Sequence, residues 1–319
     1  MSELISNIDA RTRLAGTNKL EILLFSLGGS APGGRRETYG INVFKVREVM
    51  RTPAITAAPR MPASVRGMAS LRGTLIPVVD LGSYCGIEGG SRDIMIVTEY
   101  NGYVQGFLVE AVDTILRLDW SQMRVPPEML NATVGGLTTA VTELADGRLV
   151  MMLDVEKLLS DTTHYDDEML FAGIAPLGAE ATVVFADDSP VARGQIRKTL
   201  ELMGLRAVAA INGAQAWSEL QKIAEHARAL GVGASDLVHA VVTDIEMPEM
   251  DGFMLTRKIR SDERFAKLPV VMHSSLSGTS NRQLAGGVGI DAYVSKLEPR
   301  ELAATLAQLL RRPARRLAA

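Results

Sequence analysis

Asp187 and Asp188 end the apolar run Thr182-Val183-Val184-Phe185-Ala186, Asp244 ends the run at 238–243, and Lys296 ends Ala292-Tyr293-Val294-Ser295. A hydroxyl, Ser274, follows a fourth such run, Val270-Val271-Met272-His273. Gathered in one place, three carboxylates, an ammonium and a hydroxyl can bind a hard divalent cation and handle a phosphoryl group. Packed carboxylates repel one another unless they share a cation. Magnesium favours a few carboxylates plus waters over a full protein cage. Asp244 stands alone and is the better nucleophile. Its attack on a phosphoryl donor gives an acyl phosphate. Magnesium and Lys296 would neutralise the developing oxygens, and Ser274 would hydrogen-bond one of them. Taken singly, an Asp-Asp pair before a helix reads as a cap and dipole partner, and a Lys after a strand reads as solvated. Their joint occurrence at successive strand ends favours the phosphoryl site.

These residues need a sheet that brings their strand ends together, and the C-terminal half alternates strand and helix. Ser189 is an N-cap with Pro190 at the first helical position. Ala192, Ile196, Leu200 and Met203 then form an apolar stripe that stops at Gly204. Strands are expected at 182–186, 207–210, 237–243, 270–273 and 292–295. Helices are expected at 214–230, 253–260, 282–286 and 301–311. Five such βα units with short crossovers form a parallel, doubly wound (βα)5 sheet of flavodoxin-like type. Ligands bind such sheets along the carboxyl edge, where the named side chains fall.

The 319 residues suit two domains, and 47% apolar with 22% charged residues is ordinary for a globular chain. A net charge of −3 makes no case for nucleic acid. One cysteine, Cys85, excludes an intrachain disulfide framework and points to a reducing compartment. The start of the chain lacks the apolar stretch of a signal peptide, and no apolar run approaches the ~18 residues of a membrane span. The expected location is the cytoplasm, without membrane insertion. An acidic, polar stretch followed by Gly173, Pro176 and Gly178 marks a linker at 161–180. The expected parts are an N-terminal segment 1–17, a domain 18–160, this linker, a domain 181–312 and a basic tail 313–319.

The N-terminal half carries short β-branched runs at 20–27, 75–80, 94–98, 103–109 and 149–153. Asn101-Gly102 is a hairpin signal between two of them. Many short strands indicate a β-barrel or sandwich, with a long flexible loop at the glycine-rich 28–36. No catalytic constellation is visible here, so this half reads as a binding module. In the segment 65–81, Gly67 and Gly73 are read as flanking a polar turn that carries Arg72.

Two resemblances follow from these residues. Phe185-Ala186-Asp187-Asp188-Ser189, the stretch 242–252 around Asp244, the stretch 268–275 and Tyr293-Val294-Ser295-Lys296 resemble the receiver domain of two-component response regulators. That resemblance implies Asp244 as phosphoacceptor. It implies magnesium held by Asp188, Asp244 and the backbone carbonyl of Glu246, with Asp187 acting through water. Ser274 and Lys296 would contact the phosphoryl group, and Tyr293 would be the aromatic switch. Leu297 stands where that family usually has proline after the Lys. The segment 65–81, with Leu24-Phe25-Ser26-Leu27, Tyr39-Gly40-Ile41 and Val46-Arg47-Glu48-Val49, is similar to CheW coupling proteins. Their fold is a pair of five-stranded β-barrels, and the likeness marks Val46, Glu48 and Arg72 as partner-binding positions. A CheW-like domain followed by a receiver resembles the CheV-type chemotaxis proteins. The implied function is an adaptor between chemoreceptor tips and the histidine kinase CheA, recruited to receptor arrays and modulated by phosphorylation of Asp244. The implied cofactor is Mg2+. Two alternatives are a receiver that is only a phosphate sink, and a magnesium-dependent aspartyl-phosphate phosphatase. Such a phosphatase would usually have Asp where Glu246 stands.

Overall fold

The structure, a computed structural model, describes residues 19–29, 37–100, 103–127, 137–162, 167–275, 288–296 and 298–311. Several sequence expectations lie outside these residues: the segment 1–17, most of the glycine-rich loop (30–36), the Asn101-Gly102 turn, the helix at 282–286, Leu297 and the tail 313–319. The chain divides into two compact units, Met1–His164 and Tyr165–Ala319. Among the described residues no helix is long and apolar enough to cross a membrane.

The first unit holds two five-stranded sheets. One has the order β8 (Ala111–Asp119), β1 (Lys19–Ser26), β2 (Thr38–Asn42), β10 (Leu149–Leu153), β9 (Thr138–Glu143). The other has the order β3 (Val46–Arg51), β6 (Ile94–Tyr100), β7 (Tyr103–Val109), β5 (Thr74–Asp80), β4 (Val65–Leu71). Side chains alternate across each strand, so Leu20, Ile22 and Leu24 of β1 bury together against Trp120, Met123 and Val150. In the second sheet Ala69, Ile76, Val78, Met95, Val97 and Leu108 form a separate apolar cluster. Glu48 on β3 pairs at 2.9 Å with Arg72 at the end of β4, although β3 and β4 are opposite edges of that sheet. The sheet must therefore curl until its edges meet.

The β4–β5 hairpin turns on Arg72 and Gly73 alone, with φ of 50° and 87°. Two positive φ values in a two-residue loop match the right-handed twist of the flanking strands. Gly67 does not flank this turn, contrary to the expectation. It lies inside β4 at a register shift, with φ of 136°. A side chain there would start 2.1 Å from the Thr56 carbonyl oxygen. Its glycine answers a close backbone approach in a bulge, which sequence alone does not separate from a turn signal.

Asp80 ends β5 and caps the short helix α1 (Leu81–Tyr84) by accepting from the Ser83 N–H at 3.0 Å. It is fully buried and also accepts from Arg92 Nε at 2.6 Å and Arg66 at 2.8 Å. Burial pushes its carboxyl pKa up, but the hydrogen bonds from Ser83, Arg92 and Arg66 outweigh that and leave it lowered. A lowered folded-state pKa means that its stabilisation is complete above the usual carboxylate range and is lost as pH falls below it. Asp80→Ala strands Arg92 beside a buried gap and should destabilise this unit by about 3 kcal/mol. Urea unfolding followed by Trp120 fluorescence in a Trp217→Phe background checks this. The deficit should shrink as the pH is lowered into the acid range.

The second unit is a single parallel sheet. Its order is β12 (Arg206–Ala210), β11 (Thr182–Ala186), β13 (Ala240–Thr243), β14 (Val270–Ser274), β15 (Ala292–Ser295). Helices α4 (Pro190–Leu202) and α7 (Pro299–Arg311) cover one face. There Val183, Phe185, Val242, Val271 and Val294 pack with Ile196, Leu200, Leu302 and Leu306. Helices α5 (Gly213–Leu230) and α6 (Gly252–Ser261) cover the other, where Val184, Val241 and Val270 meet Leu220, Leu255 and Ile259. Burial on both faces explains the unbroken apolar runs of these strands.

Ser189 caps α4 as expected, and Pro190 opens it. Two boundaries of this unit differ from the sequence expectation by more than one residue. β13 starts at Ala240 and not at 237, because the Leu237 and Val238 N–H groups bond back to the Ala234 carbonyl in a tight turn. The last helix starts at Pro299 and not at 301, where a missing N–H costs nothing. Ahead of β11, in the stretch expected to be a linker, lies α3 (Asp167–Phe171). Helix α2 (Val155–Thr162) closes the first unit.

Candidate functional site

Strand order reverses between β11 and β13, since β12 lies on one side of β11 and β13 to β15 on the other. The crevice at this switch point, outside the carboxyl ends of the strands, is where such sheets place ligands. Asp187 and Asp188 follow β11, and Asp244 follows β13. One carboxylate oxygen from each lies within 4.8 Å of the others.

Backbone hydrogen bonds hold Asp187 and Asp244. Asp187 accepts from the Ser189 N–H at 2.9 Å, so the cap of α4 also orients the carboxylate. Arg193, one turn into α4, donates to the Asp187 carbonyl at 2.8 Å. The Asp244 N–H bonds the Ala186 carbonyl at 2.8 Å, and Asp244 Oδ1 accepts from the Ile245 N–H at 2.7 Å. Lys296 arrives from the end of β15, two strands away from β13. Its Nζ lies 2.9 Å from Asp187 Oδ2 and 2.9 Å from Asp244 Oδ2, and the residue is 1% exposed. Three carboxylates and one ammonium leave two negative charges in a largely buried crevice. Hard, anionic oxygens in this number suit a small divalent cation that keeps its own waters. The donor set therefore fits magnesium.

Ser274 is the last residue of β14 and is buried; its carbonyl accepts from the Lys296 N–H at 3.0 Å. Tyr293 is half-buried in β15 and is paired in register with Met272. Glu246 is half-buried, two residues past Asp244.

Gly252, the last residue of the stretch 242–252, opens α6. Its N–H bonds the Ile245 carbonyl at 2.9 Å, and an added Cβ would sit 2.0 Å from the Asp244 carbonyl oxygen. The Asp251 side chain caps the same helix through the Met254 N–H at 2.6 Å. The helix start thus presses on the backbone of Asp244. Gly252→Ala should displace Asp244, cost about 2–3 kcal/mol and slow phosphoryl uptake. Thermal unfolding and a phosphorylation time course on one preparation test both effects.

In the first unit Arg72 is largely exposed and Glu48 mostly shielded, and Val46, at the start of β3, is 7% exposed. One Glu48 oxygen, Oε1, is buried with no hydrogen-bond partner among the described residues. Leu75, at the start of β5 beside the Arg72 turn, is 68% exposed.

Residues 21–163 match the CheW-like domain family, and residues 183–307 match the response regulator receiver domain family. Chemotaxis protein CheV1 of Helicobacter pylori is 27% identical over 335 residues, covering 97% of this chain and 99% of its own length. Chemotaxis protein CheW of Klebsiella aerogenes is 32% identical over 153 residues, covering 47% of this chain and 87% of its own. The crystal structure of scaffolding protein TtCheW from Thermoanaerobacter tengcongensis shares 28% identity, with a TM-score of 0.39, over 44% of this chain and 92% of that one.

Proposed function

This chain belongs to the CheV-type chemotaxis proteins, a CheW-like domain followed by a response regulator receiver, and we propose that it couples chemoreceptors to the histidine kinase CheA under the control of phosphorylation at Asp244. The observation that carries this reading is the juxtaposition of Asp187, Asp188, Asp244 and Lys296 at one sheet edge of the receiver.

Asp188, Asp244 and the Glu246 carbonyl would hold Mg2+ directly, and Asp187 through water. Bound there, the ion supplies charge neutralisation for the phosphoryl oxygens. The Asp244 carboxylate attacks the phosphorus of the kinase phosphohistidine. An O–P bond forms, the P–N bond breaks, and the histidine nitrogen leaves with the bonding pair. Lys296, already shared between Asp187 and Asp244, is placed to neutralise the added oxygens. Ser274 donates its hydroxyl to one of them, and Tyr293 is the side chain that changes position in response.

Output belongs to the other unit, at receptor arrays in the cytoplasm. Arg72 offers an exposed guanidinium, and Glu48 an acceptor oxygen not used among the described residues; buried Val46 stands two residues before Glu48 on β3. Arg72→Ala should weaken binding to the kinase regulatory domain about tenfold, in the range of an interface arginine. It should leave phosphoryl uptake at Asp244 as in wild type. A titration by calorimetry measures the first, and radiolabel transfer from the kinase measures the second.

Coupling energies between sites are typically ~1–3 kcal/mol, whereas a complete switch needs ~5.5 kcal/mol. Phosphorylation should therefore adjust kinase coupling by degrees. Kinase activity in a reconstituted array, with wild type against Asp244→Asn, tests the proposal. Equal activities would defeat it and leave the receiver as a phosphate sink.

A further inference from the structure

We infer that residues 167–177 form a strap docked on the receiver, and that release of this strap carries the state of Asp244 toward the coupling domain. The inference rests on the phosphorylation reading above and names the segment that transmits it.

The sequence Met169-Leu170-Phe171-Ala172-Gly173-Ile174-Ala175-Pro176-Leu177 spaces three large apolar side chains, Phe171, Ile174 and Leu177, at intervals of three. All three turn onto the receiver. Phe171 is 7% exposed, and Lys198 of α4 stands over its ring at 4.3 Å. Ile174 and Leu177 pack against the apolar cluster that includes Leu200, Met203 and Leu306. The Leu177 N–H bonds the Met203 carbonyl at 2.8 Å. Leu170 is half-buried, and Met169, Ala172, Gly173, Ala175 and Pro176 are exposed. Gly173 and Gly178 take φ of 83° and 73°, so glycine conformations punctuate the strap on either side of Leu177. Three anchors hold a segment in which five of the other residues are exposed. Such a segment can leave its groove without unfolding the sheet beneath, as the low-stability parts of proteins do.

The strap also touches the helix that starts at the phosphoryl site. Lys296 binds Asp187 and Asp244, and Pro299, three residues on, opens α7. Arg300, the next residue, donates to the Met169 carbonyl at 3.3 Å, and α3 packs on α7. An added phosphoryl group competes with Asp187 for the Lys296 ammonium. Any shift of Lys296 pulls on the first turn of α7, and with it on Arg300 and the strap. The strap is also the part of the second unit next to the chain division at His164 and Tyr165.

Hydrogen exchange on the full chain, with and without magnesium plus beryllofluoride as the phosphoryl mimic, reads the strap directly. The Ile174 and Leu177 amides should exchange at least threefold faster with the mimic, and Asp244→Asn should abolish that change. Unchanged or slower exchange in the strap, while the Ile245–Met247 amides respond, overturns the inference and leaves the phosphoryl site intact. No response at either place removes the phosphorylation reading and this inference together. In a second arm, Phe171→Ala should take up phosphoryl groups within twofold of wild type. Its kinase output should lose at least two-thirds of the difference that phosphorylation makes in wild type. A full response in Phe171→Ala counts against the strap. A wild type that shows no response counts against the function proposed above.

Discussion

Asp244→Asn is expected to reduce stable phosphoryl incorporation from stoichiometric to undetectable, the largest functional effect of any single substitution in this chain. The amide that replaces the carboxylate has no anionic oxygen to attack phosphorus, so the acyl phosphate cannot form. The fold should survive. Asp244 Oδ1 accepts from the Ile245 N–H at 2.7 Å and Oδ2 faces Lys296 at 2.9 Å, and an amide oxygen can keep one of these bonds. The change also removes one of the three clustered carboxylates, so magnesium affinity should fall by about tenfold, equivalent to ~1.4 kcal/mol. Intact-protein mass spectrometry after exposure to the phosphorylated kinase measures incorporation. Tryptophan fluorescence titrated with Mg2+ measures the metal. Substantial incorporation in Asp244→Asn would place the acceptor elsewhere.

Lys296→Ala is expected to make the stability of the receiver depend on magnesium. Lys296 is buried and bridges Asp187 and Asp244. Its removal leaves those carboxylates facing each other without their ammonium. Losing one partner of a buried ion pair costs about 3–5 kcal/mol. A dication in the same cluster offsets the repulsion, and saturation at 100 times its dissociation constant stabilises by about 2.7 kcal/mol. Wild type should gain less from magnesium, because its ammonium already neutralises part of the cluster. Urea unfolding followed by Trp217, in a Trp120→Phe background and with Mg2+ or EDTA, reads the difference. Equal magnesium gains in the two proteins would mean that ammonium and metal do not share these carboxylates. Phosphoryl uptake by Lys296→Ala should also slow, since the charge that meets the incoming oxygens is gone.

The parts of this molecule legible in the sequence are those set by neighbours a few residues apart. The central receiver strands β11, β13 and β14 show as apolar runs because both their faces are buried, and the α4 start shows through Ser189 and Pro190. The misread places share a different cause. Gly67 looked like part of a turn because the residue that requires it, Thr56, approaches from outside the hairpin. Val238 belonged to an apolar run, yet its N–H was already committed to Ala234. The requirement for Gly252 has no local sign, since the atom it must clear is the Asp244 carbonyl oxygen eight residues earlier.

By itself, then, the sequence determined the kinds of element, the two-part organisation into a β-rich half and an alternating α/β half, and which ionisable residues stand at strand ends. Periodicity, caps and turn residues act over a few positions, and a linear reading captures them. Tertiary structure alone decided who meets whom. It put Lys296 between Asp187 and Asp244 by laying β15 two strands from β13. It also curled β3 round to β4 so that Glu48 reaches Arg72, and folded Phe171 under Lys198 on the receiver. These contacts join residues 24 to 109 positions apart in the chain for Glu48–Arg72 and Asp187–Lys296. Strand order and helix packing set them, and both depend on the free energy of the whole fold, which no local pattern contains.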